Sequence, residues 1–201
     1  MFGFRKSVFA AASLALAVGC ATAPKIQRTD VGETIDLSGD WNDTDSRLVA
    51  EEMIKDSLSR PWLSEFSAGK GAKPRVIVGA VSNKSQEHIN TETFVKDLER
   101  ELTNSGQVKF VAAKVERDEI REERMDQARN ASMKTAKSMG QEYGADYMLK
   151  GQINTIFDAA GKQEVKYYQV ELELIDMTTN EKSWIGQKKI KKQVTYRKRK
   201  F

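Results

Sequence analysis

Histidine and cysteine each occur once in 201 residues, and both scarcities exclude common kinds of chemistry. With Cys20 as its only cysteine, the chain can form no internal disulfide, and no pair of thiolates can hold zinc. A nucleophilic triad would have to use His88, which lies in the polar stretch NKSQEHIN. The pattern HExxH is absent, and SAGKGAKP lacks the spacing of a phosphate-binding loop. We therefore expect no metal, no cofactor and no small-molecule substrate, and these motifs single out no catalytic residue, although a wall-degrading enzyme built on a single glutamate stays open.

Long apolar runs are missing as well. The apolar stretch Ser7–Val18 is shorter than the ~20 helical residues that cross a bilayer. It follows Arg5 and Lys6 and ends in the small residues of AVGC. A basic start, a short apolar stretch and a small-residue end are typical of a secretory signal peptide. The sequence therefore predicts a signal peptide over residues 1–19, with cleavage between Gly19 and Cys20.

The residues around this cleavage site, Ala17–Cys20, resemble the lipobox of bacterial lipoproteins, in which a cysteine is lipidated and becomes the new N-terminus. Thioether formation needs a sulfur nucleophile, and Gly19 leaves the peptidase room at the bond it cleaves. The resemblance implies that Cys20 carries acyl chains, palmitate among them, and that Ala21 favours the outer membrane. We expect a lipid-anchored protein that faces the periplasm, with residues 20–40 forming a tether.

Residues 41–196 predict one globular domain of the α/β class. Polar caps at Asn42–Asp45 precede helical spacing of apolar residues, and Pro61 is expected to end that helix and open a turn. The apolar runs RVIVGAV and QVKFVAA predict strands on either side of a helix, which favours a parallel crossover. The predicted order is α-β-α-β-α-α-β-β-β, with a helix at residues 132–143, in a mixed sheet of about five strands with flanking helices.

The last two strands carry two further expectations. Tyr168, Val170, Leu172 and Leu174 alternate on one face, whereas Val165 falls in the other phase, so we expect a β-bulge near Tyr167–Tyr168. The lysine-rich strand KSWIGQKKIKKQV is expected to pair antiparallel with its predecessor and to lie at a sheet edge.

Three charged stretches are candidates for a partner surface: the turn with Asn42 and Asp45, the charged helix with Arg117 and Arg121, and the basic tail 197–201 with Arg197 and Arg199. Such charges are commonly just solvated. The alternative for the tail is contact with an acidic surface: membrane phosphates, cell-wall carboxylates or an acidic protein face. Export of the chain argues against nucleic acid as a partner.

Three stretches resemble the LpoB family of penicillin-binding protein activator lipoproteins: residues 36–58 (DLSGDWNDTDSRLVAEEMIKDSL), 59–63 (SRPWL) and 140–153 around GADYMLKG. The resemblance implies a fold like the N-terminal domain of TolB. It also implies an outer-membrane lipoprotein that binds a class A penicillin-binding protein and activates peptidoglycan synthesis in the cell wall, without being an enzyme. The enteric form has a long proline-rich tether, whereas here Pro24 is the one proline of a tether that reaches at most ~70 Å.

Two alternatives stay open at this point. One is a structural or secretion-associated envelope lipoprotein related to CsgG, which would form a ring and insert a hairpin into a membrane. The other is a wall-degrading enzyme built on a single glutamate. The lysines of the last two strands suit a lipid-facing surface poorly, which places the first alternative lower.

Overall fold

The computed structural model describes residues 26–132, 135 and 142–196, and the described residues from Thr34 onward belong to one compact unit. Residues 26–33 belong to a separate unit, in which Glu33 closes a turn on the carbonyl of Asp30. The helices and strands of the described residues are α1 (Asp43–Leu58), α2 (Pro61–Lys70), β1 (Arg75–Asn83), α3 (Thr91–Asn104), β2 (Lys109–Phe110), α4 (Lys114–Asn130), β3 (Tyr147–Ala160), β4 (Gln163–Asp176) and β5 (Lys182–Thr195).

Helix α1 begins where its sequence caps it. The Asn42 side chain accepts a hydrogen bond from the backbone amide of Asp45, and the Asp45 carboxylate accepts one from the amide of Asn42. This reciprocal pair satisfies two donors that a helix start otherwise leaves unpaired. We expected Pro61 to open a simple turn after the end of α1, and the structure differs. Pro61 is the first residue of α2, a position that tolerates proline because its missing amide has no helical partner there.

The five strands form a mixed sheet in the order β2-β1-β3-β4-β5. Strand β1 runs parallel to β2 and β3, whereas β3–β4 and β4–β5 are antiparallel. The predicted parallel crossover, the antiparallel last pair and the edge position of the lysine-rich strand β5 are confirmed. The predicted bulge at Tyr167–Tyr168 is wrong, because β3 and β4 pair without interruption through these residues. Val165 simply lies on the opposite face, and the irregularity of β4 occurs against β5 at Leu174/Ile175.

One face of the sheet forms the core with the helices. The alternating residues from Tyr168 to Leu174 are buried, as are Val49 and Met53 of α1 and Phe94 and Leu98 of α3. Helix α2 joins this core through the Trp62 ring, whose centroid lies 5.0 Å from that of Tyr147. Eight of the twelve residues of the predicted helix 132–143 lie outside the described residues, and Glu142 and Tyr143 at its end are not helical. None of the helices within the described ranges is long and apolar enough to cross a membrane.

Candidate functional site

Two lysines face each other on the helix-covered side of the sheet. Lys166 of β4 and Lys192 of β5 are directly opposite in the strand register, and their side chains are only 15% and 12% exposed. Like charges in directly opposed positions destabilise a sheet. The pair therefore requires carboxylates close by, and the rest of the chain has to supply them.

Four carboxylates from three parts of the chain surround the lysine pair. Lys192 binds Asp36 at 2.9 Å and Asp45 of α1 at 2.6 Å. Lys166 binds Asp40 and, at 2.9 Å, Glu87 of the β1–α3 loop. Because two of these acids lie in the segment before α1, the ion pairs hold that segment against the sheet. We call residues 36–41 the strap, and the cluster that binds it the strap junction.

A buried tyrosine completes the strap junction. The Tyr168 hydroxyl lies 2.7 and 2.8 Å from the two carboxylate oxygens of Glu87 and 3.0 Å from the carbonyl of Gly39. Glu87 also accepts the backbone amide of Trp41 at 3.2 Å. The Trp41 ring packs edge-on against Tyr168 and Phe94, with centroids 5.6 and 6.0 Å apart. One loop carboxylate therefore joins the strap to the sheet.

Close approach of the strap depends on Gly39. A Cβ atom at this position would lie 2.6 Å from Cγ2 of Val194, nearer than two carbon atoms can pack. The SGDW stretch is therefore a docking segment of the domain. The contacts of the strap begin at Asp36, five residues before residue 41, where we expected the domain to start.

The charges of the strap junction stabilise one another. Hydrogen bonding by Lys166 holds the pKa of Asp40 below its ordinary value, and Lys192 does the same for Asp36. Burial by itself would lower the pKa of Lys166, but the hydrogen bonds with Asp40 and Glu87 outweigh it and the pKa is raised. Burial, followed by the bond to Glu87, raises the pKa of Tyr168. All these groups therefore keep their neutral-pH charge states, which suits a fixed clamp and not proton transfer.

The predicted partner residues separate into two places. Asp45 belongs to the strap junction and is almost fully buried, and Asn42 lies beside it; together the two residues cap α1. Arg117 and Arg121 lie on α4. Arg197 and Arg199, like Gly19 and Cys20, lie outside the described residues, so their roles stay predictions.

The arginines of α4 are largely occupied within the chain. Arg121 binds both oxygens of Glu142, at 2.7 and 2.8 Å, and Arg124 adds a longer contact of 3.7 Å. This bonding lowers the pKa of Glu142 and ties α4 to the segment before β3. Arg117 donates to the carbonyl of Ala112, and its Nε is buried without a hydrogen-bond partner. The structure therefore places these two arginines together but separate from the strap junction.

Sequence reasoning missed the main residues of the strap junction: Asp36, Asp40, Glu87, Lys166, Tyr168 and Lys192. A partial signal was available for one of them, Lys192. Alternation in β5 puts Lys188 and Lys192 in the phase of the buried Trp184, and lysines in that phase need acidic partners. Nothing in the local sequence marks Glu87, since its partners lie 46 to 81 residues away. Within the described ranges, no group of three or more acidic, histidine or cysteine side chains is placed to hold a metal.

A family model described as "Peptidoglycan-synthase activator LpoB" matches residues 45–190, well over half of the chain. The chain belongs to the LpoB family. The match begins at Asp45 in the first turn of α1 and runs through the sheet to Ile190 of β5. Members of this family are activator proteins of peptidoglycan synthesis and lipoproteins of the cell envelope. The mixed five-stranded α/β fold expected from the order of predicted elements is confirmed.

Solved structures of LpoB proteins are similar to the chain at low sequence identity. The NMR structure of Escherichia coli LpoB is 16% identical, with a TM-score of 0.42, over 90% of this chain and 88% of that one. The C-terminal domain of the same protein gives 16% identity and a TM-score of 0.37, over 65% and 93% of the two chains. A lipoprotein from Neisseria meningitidis gives 16% and 0.37, over 60% and 83%. A comparison with curated proteins finds no match.

Proposed function

We propose that this protein is an outer-membrane lipoprotein, anchored through Cys20, that binds a class A penicillin-binding protein from the periplasmic side and activates it. The observation that carries the proposal is the family match over residues 45–190. In this role the protein has no active site of its own. It must bind the active conformation of the synthase more tightly than the inactive one, since only such a difference shifts the equilibrium.

The strap junction fixes the point on the domain from which the chain runs to the lipid on Cys20. Because Asp36 is already bound to Lys192, the connection to the lipid runs only over residues 20–35. Sixteen extended residues reach at most ~55 Å, which is shorter than the reach of the whole segment 20–40. We therefore propose that the synthase extends toward the outer membrane, and that the domain meets it close to the inner surface of that membrane.

Activation is tested with the full-length protein in detergent, a class A synthase from the same cell and lipid-linked substrate. We expect the initial rate of glycan polymerisation to rise and saturate with added protein, while heat-unfolded protein has no effect. In-cell crosslinking is expected to capture the synthase. No stimulation and no complex would refute the activator role, and a ring oligomer in solution would favour the secretion-associated alternative.

Anchoring and the absence of catalysis are tested separately. The Cys20→Ser variant is expected to leave the membrane fraction, because without a thiol no acyl chain is attached. A variant that still sediments with membranes would contradict the lipid anchor. Incubation with purified sacculi is expected to release no muropeptides, and any release that depends on the folded protein would show that it is an enzyme after all.

A further inference from the structure

The face of the sheet opposite the core is lined by amides and lysines. Strand side chains alternate, so the neighbours of the buried Leu149, Ile153 and Val170 point away from the core. In the strand register one row crosses four strands and is polar throughout, and the next two rows continue it toward the β3–β4 turn. We call this surface the amide face; it comprises Ser82, Gln152, Glu171 and Gln187, then Asn154, Gln169 and Lys189, then Ile156, Tyr167 and Lys191. Ile156 is its one aliphatic member and is 65% exposed.

Glu171 fixes the orientation of three amides at the centre of this face. Its carboxylate oxygens lie 2.9 Å from Nε2 of Gln152, 2.5 Å from Nε2 of Gln169 and 3.2 Å from Nε2 of Gln187. A carboxylate can only accept hydrogen bonds, so each glutamine must turn its NH₂ group inward and its carbonyl oxygen outward. The Gln169 carbonyl accepts the Tyr167 hydroxyl at 3.3 Å. The side-chain carbonyl oxygens of Gln152 and Gln187 have no partner among the described residues and can accept hydrogen bonds from a ligand.

The lysines of β5 divide between the two faces. Lys188 and Lys192, on the core side, are ion-paired with Glu52 and Asp45 of α1. Lys189 and Lys191 point the other way and stand opposite the neutral residues Gln169 and Tyr167. Within the described ranges neither makes an ion pair. Lys189 interacts electrostatically with Glu171 of the same face without forming an ion pair, so the amide face presents two cations that can still approach an added anion.

This composition suits a carbohydrate better than a protein. The cores of protein interfaces are apolar and depend on aromatic, methionine or arginine anchors. The first two rows of the amide face, from Ser82 to Gln187 and from Asn154 to Lys189, contain no apolar side chain. A depression of about 320 Å³ lies beside Gln152 and Glu171, with Ser82 at its rim. Sugar hydroxyls and acetamido N–H groups are donors for outward carbonyls, the Tyr167 ring can stack on the C–H face of a sugar, and the lysines can pair with carboxylates.

We infer that the amide face binds the glycan strand of peptidoglycan, an N-acetylated polymer with carboxylate-bearing peptide stems. The inference rests on the proposed function for the location of the domain beside the cell wall. Binding of the wall product by the same domain that contacts the synthase would hold the activator next to the strand being made.

The experiment measures co-sedimentation of the full-length protein in detergent with purified sacculi. Removing one acceptor costs about fivefold in affinity, so Gln152→Leu/Gln187→Leu is expected to weaken binding at least ~tenfold. The matched control is Gln107→Leu, an exposed glutamine before β2, which is expected to bind like the parent protein. Glu171→Gln is a second, nearly isosteric variant. Its side-chain amide no longer forces the carbonyl oxygens of the three glutamines outward, so this variant is also expected to bind sacculi more weakly.

The contribution of the lysine charges to sacculus binding is tested by adding salt. Lys189→Gln/Lys191→Gln is expected to flatten the decrease of binding with added salt, because two charge pairs with the stems are gone. Thermal unfolding midpoints establish that each variant is folded. Parent-like sacculus binding by folded Gln152→Leu/Gln187→Leu and Glu171→Gln would overturn the inference.

Stimulation of the synthase, measured as an initial rate without sacculi, separates this inference from the proposed function. We expect the amide-face variants to stimulate like the parent protein. Loss of stimulation with unchanged sacculus binding would identify the face as a protein-docking surface and overturn the inference. If the parent protein itself does not stimulate the synthase, the proposed function fails. Co-sedimentation of the parent protein and its variants with sacculi still shows whether the amide face binds glycan.

Discussion

The Tyr168 hydroxyl is the most sharply testable contact of the strap junction. In the Tyr168→Phe variant the ring still fills the core and packs against Trp41, so only one oxygen atom is lost. That atom binds Glu87 at 2.7 Å and lies 3.0 Å from the carbonyl of Gly39. The side chain is fully buried, so water cannot take its place without rearrangement. The substitution therefore isolates the polar link between the sheet and the strap.

The expected loss follows from these partners. A hydrogen bond to a charged group contributes ~1.5–3 kcal/mol. Glu87 keeps Lys166 and the Trp41 amide, which favours the lower half of that range. Exclusion of water from the Gly39 carbonyl adds to the cost, so we expect Tyr168→Phe to lower the free energy of unfolding by about 2 kcal/mol. For a domain of this size the melting temperature should fall by ~4–8 °C.

The neighbouring residue provides the control. Tyr167 lies on the opposite face, and its hydroxyl makes one 3.3 Å bond to Gln169 in a partly exposed setting. Tyr167→Phe is expected to cost under ~0.5 kcal/mol. Urea unfolding compares the two variants, and hydrogen exchange should be faster at the Trp41 amide in Tyr168→Phe alone. Equal stability of the two variants, or an unchanged exchange rate at Trp41, would refute the role assigned to the strap junction.

Three further outcomes are expected. Gly151→Ala should lower the free energy of unfolding by ~2 kcal/mol or more in urea titrations, because its Cβ would lie 2.1 Å from the carbonyl oxygen of Glu171; a neutral effect would contradict the packing of β3 against β4. Gly69→Ala, in α2 with no atom within 4 Å of a new Cβ, should raise it by ~0.5–1 kcal/mol, and destabilisation there would show that α2 is not an ordinary helix. Asp40→Asn should reduce stability by under ~1 kcal/mol at pH 7, since the Asp40–Lys166 pair is partly exposed. Because the folded-state pKa of Asp40 lies below the ordinary 3.8, that difference should be full above pH ~4 and disappear as the pH falls through the folded-state pKa; a difference that persists at pH 2 would exclude the ion pair as its source.

Local patterns predicted most of the secondary structure. The capping residues before α1 and the alternation from Tyr168 to Leu174 act between near neighbours, so a linear reading captures them. The helix between β1 and β2 dictates their parallel pairing for a similar reason, since a crossover connection leaves few alternatives. Pro61 shows the limit of this reasoning: proline can end one helix or begin the next, and only the packing of Trp62 on Tyr147 favoured the second outcome.

The strap shows the same limit at longer range. Read alone, residues 36–41 are polar and glycine-containing, which is typical of a tether. They dock because Lys192, 156 residues after Asp36, and Lys166, 126 residues after Asp40, stand opposite each other in the sheet. No local pattern encodes that juxtaposition.

By itself the sequence determined most of the elements, the α/β class and the resemblance to its family, and it predicts a lipid-attachment site at Cys20, because each rests on residues that are close together in the chain. Only the tertiary structure decided that the SGDW stretch belongs to the domain, that Asp45 is buried as a cap and ion-pair partner, and that alternate lysines of β5 serve different faces. The physical reason is that charge pairing and close packing depend on distances that strand register and sheet order set.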